Sequence, residues 1–164
     1  MSIRIYVIAF ASLVGCSSVL ADPKPSDATM MQRVLKKIEQ DNSECNIGLS
    51  YAGRIAAGGS ASSARFDGAL VLVYSVEGCN GGNSWGYTAQ VYGVKDDTAL
   101  EIGKPQSWSI VKGADFNDKR AIIYAVSQGL GDGHCCPTEG KTIEVTVSNG
   151  QAVFRQIKAW HNSN

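Results

Sequence analysis

Ala69 to Val76 reads Ala-Leu-Val-Leu-Val-Tyr-Ser-Val, a nearly continuous apolar run. Such a run suits a central strand buried on both faces, and a chain that contains it must supply cover for each. The helix needed for one face lies upstream. Met30, Met31, Val34, Leu35 and Ile38 recur at three- and four-residue spacing, with Arg33, Lys36, Lys37 and Gln40 on the other side. The pattern predicts an amphipathic helix from an N-cap at Asp27 to about Asp41-Asn42, its apolar stripe laid on the sheet.

Most of the remaining chain reads as strand. Residues 49–64 are rich in Gly, Ala and Ser and read as a weakly ordered loop. A Gly/Asn turn at 78–83 leads to a strand over Tyr87–Val94, and Lys95-Asp96-Asp97 turns into a short strand over Thr98–Ile102. Trp108 and Ile110 alternate with Ser107, Ser109 and Val111 in the next strand, and Ala121–Ser127 is another apolar one. At the end, Ile143, Val145 and Val147 alternate with Thr142, Glu144 and Thr146, and Asn149-Gly150 is the preferred pair for a type I′ hairpin turn. Closure there sets Val147 opposite Ala152 and Val145 opposite Phe154, with Glu144 facing Arg155 on the other side. The expected fold is a single α+β domain over residues 27–164: one N-terminal amphipathic helix packed on an antiparallel, meander-like sheet of six to eight strands, stapled by disulfides.

Residues 1–21 read as a signal peptide, with Arg4 as the positive n-region and Ile5–Val14 as an apolar stretch too short to span a bilayer. Leu13-Val14-Gly15-Cys16 matches a bacterial lipobox, in which Cys16 becomes the lipidated N-terminal residue. Val19-Leu20-Ala21 matches an ordinary site with cleavage after residue 21, but is the commoner pattern. Residues 22–26, with Pro23 and Pro25, then form a short tether, and Ser17 suits release to the outer membrane. The expected address is the periplasmic side of the envelope, lipid-anchored, or else soluble in the periplasm or secreted. The membrane is met through the lipid only. The formal net charge is zero, and −1 without Arg4, with neither sign in a block; nothing argues for nucleic-acid binding.

Beyond Cys16 the cysteines are Cys45, Cys79, Cys135 and Cys136, an even number at an oxidising address. Joining Cys135 to Cys136 closes a small ring across one peptide bond, far from the usual Cα separation. The favoured expectation is that they point to opposite sides of an extended segment and reach different partners, Cys45 and Cys79, with the assignment open.

The densest chemistry is Gly129-Leu130-Gly131-Asp132-Gly133-His134-Cys135-Cys136-Pro137-Thr138. His134, Cys135 and Cys136, with Asp132 and distant His161, are ligand types for zinc or copper. Adjacent cysteines converge poorly on one tetrahedral centre, however, and a disulfide-stapled turn is the simpler reading. Cys79 with His134 could pair a thiol and a base, but Cys79 stands in a turn rather than at a helix N-terminus. Gly82-Asn83-Ser84-Trp85-Gly86 fits G-x-S-x-G without the strand-to-helix setting that makes such a serine a nucleophile. The glycines at 129, 131 and 133 do not open a helix and lack the lysine of a phosphate loop. No cofactor motif and no catalytic set emerge.

Two stretches carry a resemblance. Asp132-Gly133-His134-Cys135-Cys136-Pro137-Thr138 resembles the D-P-H-C-C-P-S motif of bacterial exported proteins and lipoproteins of the LppP/LprE type. Val76-Glu77-Gly78-Cys79-Asn80-Gly81-Gly82-Asn83-Ser84-Trp85 is similar to their G-C-G-G-G-N-x-W segment. This sequence has Gly133 for the proline and Thr138 for the serine. The resemblance implies an exported, anchored domain in which Cys79 and the Cys135-Cys136 pair belong to one structural unit, and it carries over no catalytic residue. The expected function is therefore a non-enzymatic envelope domain binding a protein or cell-wall ligand. Its interaction loops hold Asn83, Trp85, Asp132 and His134, with Tyr87 as a further contact aromatic. One alternative is a periplasmic inhibitor or immunity protein against a cell-wall-degrading enzyme. The other is a metal- or thiol-active centre at His134-Cys135-Cys136.

Overall fold

The computed structural model describes residues 26–58, 65–79, 85–132 and 136–161. Helix α1 (Asp27–Asp41) leads into β1 (Asn46–Ile55), β2 (Gly68–Glu77), β3 (Trp85–Lys95), β4 (Thr98–Glu101) and β5 (Gln106–Trp108). After these come β6 (Ile110–Phe116), β7 (Ala121–Ser127), β8 (Glu139–Ser148) and β9 (Gln151–His161). The first five strands form one antiparallel sheet in the order β1-β2-β3-β4, with β5 also paired to β3; the last four form a second sheet in the order β6-β7-β8-β9.

The expected α+β class is overturned. Among the described residues strand makes up 60% and helix 13%, and the strands form two sheets rather than one meander. The physical reason lies in β2. Ala69, Val71 and Val73 enter a core shared with Val111, Ile123 and Val145 of the second sheet. Leu70, Leu72 and Tyr74, on the opposite face, meet Met30, Val34 and Ile38 of α1. One helix of 15 residues, about 22 Å long, can cover only part of one face, so the other face takes a second sheet. The product is a β-sandwich with a helix on one outer side.

The chain changes sheets at Ser109. Trp108 and Val111 are both in the shared core although they stand three residues apart, a spacing that puts side chains on opposite faces of a single strand. The stretch that reads as one strand is thus the end of β5 and the start of β6, with the phase reset between them.

A second correction concerns the expected loop at 49–64. Its first part is the strand β1, paired with β2 from Asn46↔Glu77 to Ile55↔Ala69. The small residues that suggest a loop are there for packing: a Cβ on Gly53 would lie 2.3 Å from the Phe116 ring of β6. Residues 59–64 fall outside the described ones. The helix also starts one residue early, because Ser26 rather than Asp27 is the N-cap, its Oγ accepting from the Thr29 amide at 3.3 Å. Ser26 is therefore part of the helix cap rather than the tether. Asp27, in the first turn, pairs with Arg54 of β1.

The last hairpin forms in the expected register, with Val147↔Ala152, Val145↔Phe154 and Glu144↔Arg155 opposite one another. Asn149 and Gly150 both have positive φ, 51° and 71°, as a type I′ turn requires.

Candidate functional site

Strand directions bring the two loops expected to interact to one end of the sandwich. The ladder pairs Glu77 with Trp85, Tyr87 with Trp108, Ile110 with Val126 and Ser127 with Glu139. The β2–β3 connection, the β5–β6 crossover and the β7–β8 loop therefore share that end.

The end is stapled by a disulfide between Cys45 and Cys79. This corrects the expected pairing. Asn46 lies opposite Glu77, so the residues just outside each strand are neighbours, and the two cysteines meet across the ladder of the first sheet. Cys136 is also disulfide-bonded, and with Cys45 joined to Cys79 neither of those is its partner. The bridge closes a segment of sequence separation 34, which removes roughly 4 kcal/mol of chain entropy from the unfolded state. It belongs to an oxidising, non-cytoplasmic compartment.

Asp132 is a clasp. Its Oδ2 accepts from the Gly129 amide at 2.6 Å and the Thr138 amide at 2.7 Å, and its Oδ1 accepts from Thr138 Oγ1 at 2.8 Å. The amide of Gly129 first, then the hydroxyl and amide of Thr138, hold its carboxyl below the usual carboxylate range. The acid and the hydroxyl at the two ends of the seven-residue motif thus bond each other and close the loop. Both carboxylate oxygens are committed to that work.

Beside the disulfide, Trp85 stands 50% exposed at the start of β3, and Leu130 projects fully into solvent from the β7–β8 loop. A cleft of about 240 Å³ lies between Val76, Cys79, Trp85, Thr88 and Ser107. Tyr87, the other expected contact aromatic, is partly buried against the shared core and also lines this cleft. Asn83, Ser84, His134 and Cys135 fall outside the described residues, as does Cys16 with the leader.

A second cleft, of about 430 Å³, opens where α1 stops short of covering the first sheet. Its floor is Tyr74, Gln90 and Tyr92. The Tyr74 hydroxyl donates to Gln90 Oε1 at 3.0 Å, both residues being buried. Burial raises the phenol of Tyr74 above its ordinary value and that of Tyr92 well above it; Glu101 adds to both, and Tyr74 and Asp41 add to Tyr92. Both stay protonated at any physiological pH. Sequence reasoning read these positions as plain strand; the available signal was Gln90, an amide in the middle of an apolar stretch.

A third opening, of about 520 Å³, lies at the far end around the β6–β7 turn. Its one buried acid, Glu144, accepts from Arg120 Nη1 at 2.6 Å and from Arg155 Nε at 3.1 Å. Arg155, then Arg120, hold its carboxyl below the usual range. That cluster is a salt-bridged brace on the outer face of β7, β8 and β9.

Fold and site together define a disulfide-stapled β-sandwich with one end built from clasped loops. The chain matches no family model, no curated protein and no solved structure.

Proposed function

We propose that this protein is an exported envelope lipoprotein, anchored through Cys16 on the periplasmic side of the outer membrane, that binds a partner without catalysis. One observation carries the reading: a held end of the sandwich presents Trp85 and Leu130 to solvent. Large apolar side chains are costly to leave in water, and tryptophan is prominent among residues that dominate interfaces. Residues tied by Cys45–Cys79 and by the Asp132–Thr138 hydrogen bond lose little entropy on binding. The motif resemblance supports the same address. A chemical centre at His134-Cys135-Cys136 gains little support, because Asp132 is spent within its own loop and Cys136 is in a disulfide.

Site-specific photo-cross-linking in intact cells tests this, with the reactive residue placed at position 85 and, as a control, at Lys119 on the opposite end. A discrete adduct from position 85 and none from position 119 is expected. A wall-degrading enzyme in that adduct would make the protein an inhibitor or immunity protein. Equal adducts from both positions, or none from either, would remove the reading.

A further inference from the structure

We propose that the cleft between the last turn of α1 and β4 is a binding site for a small aliphatic amine, its ammonium group set against Glu101 and the Tyr92 hydroxyl. The site is separate from the Trp85 end and does not depend on it.

Three features of the cleft point to a ligand. Tyr92 is 5% exposed, yet no described residue hydrogen-bonds its hydroxyl, and no buried side-chain oxygen or nitrogen among the described residues lacks a partner. The hydroxyl must therefore reach the cleft that Tyr92 lines. Gln90, 9% exposed, spends its Oε1 on Tyr74 and has its amide nitrogen in the same position. Two polar groups on largely buried side chains thus open onto one space, with no described partner in the protein. Water can satisfy both groups in the free protein, so a ligand that displaces it gains affinity only by supplying the hydrogen bonds itself.

The second feature is charge. Glu101 lies directly opposite Tyr92 in the β3–β4 ladder, so their side chains share a face. Glu101 forms no ion pair among the described residues. Asp41, at the helix end of the cleft, is already paired with Lys37 at 3.3 Å. The uncompensated charge is one carboxylate, beside phenols that stay neutral.

Third, Ile38, Ala99 and Pro105 line the same space and offer an apolar wall. An ammonium group carries three donors and no acceptor. It can give one hydrogen bond to Glu101 and one to a phenol oxygen while its alkyl stem lies along the apolar wall. A volume of about 430 Å³ lies in the range of small-molecule sites.

The test is a chemical-shift titration of the purified protein with cadaverine, and with the alkanediol of the same length. Saturable shifts at the Gln90 side-chain amide with cadaverine, and none with the diol, are expected. Glu101→Gln should weaken cadaverine about tenfold, and Tyr92→Phe should weaken it less. Glu101 is exposed and supports no other described side chain, so E101Q leaves the fold intact. Trp85→Ala should leave the affinity unchanged, which separates this site from the cross-linking surface. Absence of saturable shifts at millimolar cadaverine, equal binding of the diol, or full affinity in E101Q would each overturn the assignment.

Discussion

Asp132 shows how a residue that invites a catalytic or metal-binding reading can be consumed by local structure. Its carboxylate accepts from two amides and one hydroxyl within a single loop, so its job is to fix the chain between Gly129 and Thr138. Because its folded-state pKa is lowered, the clasp is fully present above the ordinary carboxylate range. It is lost as pH falls through the lowered value. Amide exchange read by NMR should therefore show Gly129 and Thr138 still protected at a pH where free carboxylates are half protonated, and released on further acidification. Asp132→Ala should expose both amides at neutral pH. Thr138→Ser should keep the clasp and Thr138→Val should weaken it. Fast exchange of both amides in the unmodified protein at neutral pH would contradict the bonding.

At the scale of elements, strands are shaped as much by glycine as by their apolar residues. Gly140 of β8 lies beneath Trp160 of β9, where a Cβ would come within 2.1 Å of the indole, and Lys112 sits 5.4 Å from the indole centroid. Gly140→Val should cost about 1–3 kcal/mol in denaturant unfolding, since the ring must leave its seat. Truncation in the doubly covered strand should cost more: Leu72→Ala, fully buried against α1, about 2–5 kcal/mol. The same glycines explain what the sequence concealed. The last hairpin was legible because period-two alternation and Asn-Gly act together in a short span. β1 was not, because Gly53 reads as flexibility when its role is to admit the Phe116 ring. The break at Ser109 was hidden because Trp108 and Ile110 alternate locally, while only the burial of Val111 betrays the change of face.

For the whole molecule, the central strand demanded cover on both faces, but sequence could not say whether the later strands would extend one sheet or fold over it. Antiparallel neighbours look alike in either case. The helix stripe and the last hairpin were legible because each is a local pattern, whereas the Cys45–Cys79 pairing was not, because the β1–β2 register sets it. The Tyr74–Gln90–Tyr92 cleft was not, because it exists only where α1 ends over the sheet. The Cys45–Cys79 bridge joins the start of β1 to the end of β2 and acts on the entire fold. Replacing both cysteines with serine should lower stability by roughly 4 kcal/mol in denaturant unfolding and leave the second sheet's hairpin register unchanged.

The intact mass of protein extracted from membranes, with thiol alkylation before and after reduction, tests the stapled and anchored state most directly. No label is expected before reduction, with four labels after it at Cys45, Cys79, Cys135 and Cys136 and a lipid mass on Cys16. Labelling of Cys45 or Cys79 before reduction, or an unmodified Cys16 in the membrane-extracted chain, would contradict that state.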